Sequence, residues 1–139
     1  MKSATAALAF ALATTAVATA SAADLRVVVN DVKTDQGVVM VGLFKDPAAF
    51  PSTMLAGQKT AATPGSVTVV FSGLAPGSYA VSAYQDLDGN GKLNKNLLGI
   101  PTEPYGFSRD ARGRTGPPSF DDAKFDLPAA GAEIVVRIR

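Results

Sequence analysis

SVTVVFSGLAPGSYAVSAYQD, Ser66 to Asp86, contains two runs of alternating residues with a turn between them. Val67, Val69 and Phe71 share one face of the first run, and Tyr79, Val81 and Ala83 share one face of the second. Side chains of an extended chain point alternately to opposite sides, so a period of two marks a strand with one buried face. Leu74-Ala75-Pro76-Gly77 separates the runs, with Pro76 fixing one φ and Gly77 free to take a positive one. The stretch reads as strand, turn, strand.

The same period recurs on both sides of it. Leu25, Val27 and Val29 align in LRVVVND, and Val39, Val41 and Leu43 align in GVVMVGLF. Near the C-terminus Ile134, Val136 and Ile138 alternate with Glu133, Arg137 and Arg139 on the opposite face. Asp35-Gln36-Gly37 and Thr63-Pro64-Gly65 supply further turns. Short strands punctuated by Gly and Pro predict an all-β fold, a single antiparallel β-sandwich of about seven strands. Asp46 to Leu55 is expected to hold one helical turn at most, with Pro47 as its first residue.

Asp86 to Asp121 lacks strand periodicity and is dense in Gly, Pro, Asn and charge. A connection this long inside a compact domain is usually functional or disordered. Leu97, Leu98, Ile100, Tyr105, Phe107 and Phe120 are interleaved with its turn residues, so we expect one long ordered loop anchored by those side chains.

The N-terminus, MKSATAALAFALATTAVATASAADL, has one lysine, a short apolar run and the small triplet Ala20-Ser21-Ala22. That pattern predicts a secretory signal peptide over residues 1–22, cleaved after Ala22, because the apolar run is too short for a membrane span. Removing 22 of the 139 residues leaves 117, residues 23–139, the size of one domain with its own core. The expected location is exported, in the periplasm or the extracellular space, with no transmembrane segment after cleavage.

The chain carries 13 basic and 12 acidic residues, and Lys2 leaves with the leader, so the remaining domain is balanced. Nothing in that balance suggests a nucleic-acid partner. There is no cysteine, so no disulfide framework stabilises the domain in an oxidising space.

Two sets of residues carry a resemblance. Gly73-Leu74-Ala75-Pro76-Gly77-Ser78-Tyr79-Ala80-Val81 resembles the strand-turn-strand signature of transthyretin-like, prealbumin-type β-sandwiches. The longer match runs through Asp86-x-Asp88-Gly89-Asn90-Gly91-Lys92-Leu93, then Leu98-Gly99-Ile100-Pro101-x-Glu103-Pro104-Tyr105-Gly106-Phe107-Ser108, then Pro117-Pro118-Ser119-Phe120-x-Asp122-Ala123-Lys124-Phe125. It resembles the exported bacterial family catalogued as domain of unknown function 2141, over nearly all of residues 23–139. The resemblance implies export and a transthyretin-like or Ig-like sandwich, and it brings no activity. The transthyretin-like enzyme that hydrolyses hydroxyisourate depends on histidines, and this chain has none.

DLDGNGKLN, Asp86 to Asn94, places oxygen ligands as the first part of a calcium loop does: Asp86, Asp88, Asn90, the Lys92 carbonyl and Asn94, with Gly91 at the sharp turn. The bidentate acid expected at the twelfth position is replaced by Leu97. A site with two nearby carboxylates needs another, and Glu103 in the same excursion is the candidate, ahead of Asp121, Asp122 and Asp126. The alternative is a pair of tight turns at Asp88-Gly89 and Asn90-Gly91, with the acids capping backbone N–H groups. A calcium ion, if held, is expected to be structural.

The absence of His and Cys removes the commonest general base, the usual zinc ligands and every thiol nucleophile. What remains for catalysis is carboxylate chemistry, such as Glu103 with Asp122 as acid and base on a glycoside. Arg109, Arg112 and Arg114 offer three guanidiniums to an anionic glycan or lipid headgroup, and Tyr105 offers a ring that stacks on a sugar or anchors the loop. The expected function is non-catalytic: an envelope-associated module binding an envelope protein or glycan through the 86–121 loop, with a carboxylate-based hydrolase as the alternative.

Overall fold

A computed structural model describes residues 3, 9–16 and 21–139. Part of the expected leader, residues 1–22, lies outside the described residues. Among the described residues, those before Ala23 form neither strand nor helix and every buried apolar residue lies from Ala23 onward, so the fold described is that of residues 23–139.

Eight strands build it: β1 Ala23–Val32, β2 Val38–Phe44, β3 Ala56–Ala61, β4 Gly65–Leu74, β5 Gly77–Asp86, β6 Tyr105–Phe107, β7 Phe125–Leu127 and β8 Ala132–Arg137. One sheet has the order β4-β1-β8. The other has the order β3-β2-β5-β6, with β7 also on β5. The Leu74–Gly77 turn therefore carries the chain from one sheet to the other, and the Tyr79 hydroxyl secures that turn by donating to the Ala75 carbonyl at 2.6 Å. Residues alternating along the strands meet between the sheets: Leu25, Val27 and Val29 of β1, Val39, Val41 and Leu43 of β2, and Val81 of β5 are buried together with Val136 and Ile138.

Two expectations are corrected. The sandwich is not purely antiparallel, because β8 runs parallel to β1 in the register Leu25 to Ala132 through Asn30 to Arg137. Alternation determines which face is buried and says nothing of direction; direction follows from the Pro128–Gly131 turn, closed by Gly131 N–H to Pro128 O at 2.9 Å, which brings the chain from β7 across to β1. The Asp46–Leu55 segment holds the single helical turn expected there, Phe50 N donating to Asp46 O at 3.2 Å, and continues in further turns. The excursion after Asp86 also has regular structure of its own: β6, a 3-10 turn at Ser108–Asp110, and the short helix α1, Phe120–Ala123, whose first turn is capped by Ser119 Oγ accepting from Asp122 N.

The outer face of β5 is also dry over part of its length. Phe44, Ala80, Phe107, Phe120 and Ala123 form a second apolar cluster, with the Phe50 ring set edge-on to Phe44, Phe107 and Phe120 at 5.1, 5.8 and 5.8 Å. Ser108 ties this layer to the sheet. Its buried hydroxyl accepts from Val81 N at 2.9 Å and donates to Ala123 O at 2.6 Å. Ser108→Ala leaves both backbone groups without that partner and is expected to cost about 1–3 kcal/mol in urea unfolding. An unchanged midpoint would show the bridge to be dispensable.

Candidate functional site

The excursion leaves β5 at Asp86 and returns at Tyr105, and two carboxylates fasten its ends. Asp86 is 1% exposed; its Oδ1 accepts from Asn90 N at 3.2 Å and its Oδ2 from Gly91 N at 2.8 Å. Glu103 is 5% exposed; its Oε2 accepts from Leu87 N and its Oε1 from Asn94 N, each at 2.7 Å. Gly91 takes a φ of 75°, the left-handed conformation that lets its amide turn back to Asp86. Asp88 stands exposed beside them and accepts from the Asn94 side-chain amide at 2.8 Å, while Asn94 Oδ1 accepts from Asn90 Nδ2 at 2.5 Å.

Ligand oxygens of Asp86, Asp88 and Glu103 lie within 4.8 Å of one another. Among the described residues, none of the three takes part in an ion pair. The geometry thus realises the turn reading, since every acid accepts a backbone N–H or a side-chain amide. It also leaves room for a cation, because an ionised carboxylate has about four acceptor sites and two hydrogen bonds fill only half of them.

The charges reach their neighbours. Burial, and after it the charges of Asp86 and Glu103, push the Tyr84 phenol above its ordinary value, and its hydroxyl donates to Gly91 O at 3.1 Å. Hydrogen bonding, led by the Asn94 amide, holds the Asp88 carboxyl below the usual range.

Asn90 and Asn94 sit on the turn as expected, and Lys92 N donates to Asn90 Oδ1 at 3.0 Å. The arginines do not converge. Arg109 lies with Lys124, Phe125 and Asp126. Arg112 is 3.9 Å from Asp110 and has its guanidinium 6.0 Å from the Tyr105 ring centre. Arg114 lines a separate cleft of about 660 Å³ over the outer face of β5 and β6, with Tyr84, Tyr105, Lys95, Leu98 and Ile100.

Asp122 is exposed on α1, whereas Glu103 is buried with its carboxylate held by the Leu87 and Asn94 amides. Sequence reasoning missed Ser82 and Tyr84 of the cleft, although both occupy the outward positions of the β5 alternation. It also assigned Leu97, Leu98 and Ile100 as inward anchors, and all three are exposed. Hydrophobicity alone does not determine burial, and these residues sit on a turn with no element packed above it.

These features define a two-sheet β-sandwich with a long excursion fastened by buried acids and opening on a cleft. The chain belongs to the family described as an uncharacterized protein conserved in bacteria, domain of unknown function 2141, whose model matches residues 27–135. No curated protein and no solved structure matches it. No helix among the described residues is long and apolar enough to cross a membrane.

Proposed function

We propose that this protein is an exported, non-catalytic module of the cell envelope that binds its ligand through the 86–121 excursion and uses calcium to staple that excursion. The observation that carries the reading is the convergence of Asp86, Asp88 and Glu103 within 4.8 Å, two of them buried, with no ion-pair partner among the described residues. Three carboxylates this close repel one another, and a cation held between them would relieve that repulsion beyond what their N–H partners do. All available donors are hard oxygens, which suits calcium over softer metals. Asp86, Asp88 and Glu103 would supply the charge, with Asn90, Asn94 and the Lys92 carbonyl as neutral ligands. Export is supported by the leader-like N-terminus, and a non-catalytic role by the lack of His and Cys.

Calcium that binds only the folded state adds about 2.7 kcal/mol at a hundredfold excess over its dissociation constant, which raises the melting temperature by roughly 10 °C. Chelator is expected to remove that gain. Asp88→Asn, an exposed and nearly isosteric change, is expected to abolish the calcium response while leaving the chelated melt close to wild type. Wild-type melting indifferent to millimolar calcium would overturn the staple.

A further inference from the structure

Between Asn94 and Glu103 the excursion rises into a narrow turn whose tip is apolar. Leu97 is 106% exposed, Leu98 83% and Ile100 56%. The turn is nonetheless well ordered by its own bonds. Asn96 N donates to Ile100 O at 2.9 Å, Gly99 N donates to Asn96 O at 3.0 Å, and Asn96 Oδ1 accepts from Leu98 N and Ile100 N at 2.9 and 3.0 Å. Its base is closed by a bridge between Lys95 and Pro101, and Thr102 N donates to Asn94 O at 2.8 Å, next to the amide held by Glu103. Aliphatic side chains are thus presented to solvent on a fixed scaffold.

Charge selects the occupant. Among the described residues Lys95 and Arg114 are the only charged ones lining the adjoining cleft, both are basic, and neither forms an ion pair. A protruding tip of three aliphatic side chains falls well short of the ~800 Å² per partner of a stable protein interface. Aliphatic residues flanked by cations suit the boundary of a bilayer with anionic headgroups, where apolar insertion and phosphate attraction act together.

We propose that the 95–101 turn is a membrane-interface anchor: Leu97, Leu98 and Ile100 enter the headgroup and acyl boundary of an anionic phospholipid surface, and Lys95 and Arg114 engage lipid phosphates. This rests on the excursion being the binding surface and does not require the calcium site to be correct.

The test uses residues 23–139 with vesicles of phosphatidylcholine alone or mixed with phosphatidylglycerol, in calcium and in chelator. Sedimentation is expected to show binding to the anionic vesicles and at least tenfold less to the neutral ones, weakening with salt. Leu97→Ser with Leu98→Ser is expected to lower the binding about tenfold or more without changing the melt, since both side chains are exposed. The chain has no tryptophan, so Leu97→Trp provides a single probe whose emission is expected to shift to the blue on anionic vesicles. Absence of binding to anionic vesicles overturns the lipid assignment, while the calcium melt still tests the staple by itself. Binding that is undiminished in the double variant, or a Trp probe that stays water-exposed, overturns the anchor while leaving the rest of the 86–121 excursion as a binding surface.

Discussion

Val81→Asp is expected to unfold most of the population under conditions where Ser82→Asp remains folded. Val81 is fully buried on β5, opposite Leu43 of β2, in the apolar layer between the sheets. A carboxylate there has neither water nor a cation, and the penalty of several kcal/mol is a large part of the ~5–15 kcal/mol that holds a domain together. Ser82, one residue along, is half-buried and lines the open cleft that contains Lys95 and Arg114. A new acid there stays hydrated near two cations, so its cost is expected to be below about 1 kcal/mol. Urea unfolding separates the two, and equal losses would mean that the strand faces are assigned wrongly. Ala80 is the position at which this contrast would fail, because the second apolar cluster dries the outer face there.

Gly37→Ala is expected to be nearly as damaging, by roughly 3 kcal/mol or more. Gly37 has a φ of 72°, a conformation that costs an L side chain about 1–2 kcal/mol. A Cβ at this position would also overlap the carbonyl oxygen of Asp86, which is backbone and cannot rotate away. The two strands would have to separate where Val38 pairs with Asp86. Close to the same point, Gln36 Nε2 donates to Leu87 O and the buried Gln85 amide donates to Gln36 O, so the β1–β2 turn supports the start of the excursion. The variant is therefore expected to lower both the unfolding midpoint and the calcium response, since Asp86 moves with the strand. A loss under 1 kcal/mol would show that this approach relaxes easily.

The two effects mark what was readable beforehand. Buried alternation along β1, β2, β4 and β5 was visible because every second residue is Val, Leu, Ala or an aromatic over several positions. β3 was not visible: AGQKTA has no buried position and owes its conformation to pairing with β2 from Val38–Ala61 to Leu43–Ala56. β6 and β7 are three residues each, too short for a period, and exist because β5 offers them successive parts of one edge. The acid cluster was legible because a calcium-type loop prescribes alternate oxygens, and Glu103 followed from the need for a further carboxylate. The cleft was not, because it is assembled from Ser82, Tyr84, Lys95, Tyr105 and Arg114, which only the fold brings together.

The most direct test of the account is a calcium titration of isotopically labelled 23–139 followed by backbone amide resonances. The staple predicts saturable shifts confined to the amides that the cluster holds, Leu87, Asn90, Gly91 and Asn94, and to Glu103 itself. Resonances that stay in place through millimolar calcium, or shifts scattered over exposed acids such as Asp35, Asp121 and Glu133, would contradict it and leave DLDGNGKLN as a turn held by its own carboxylates.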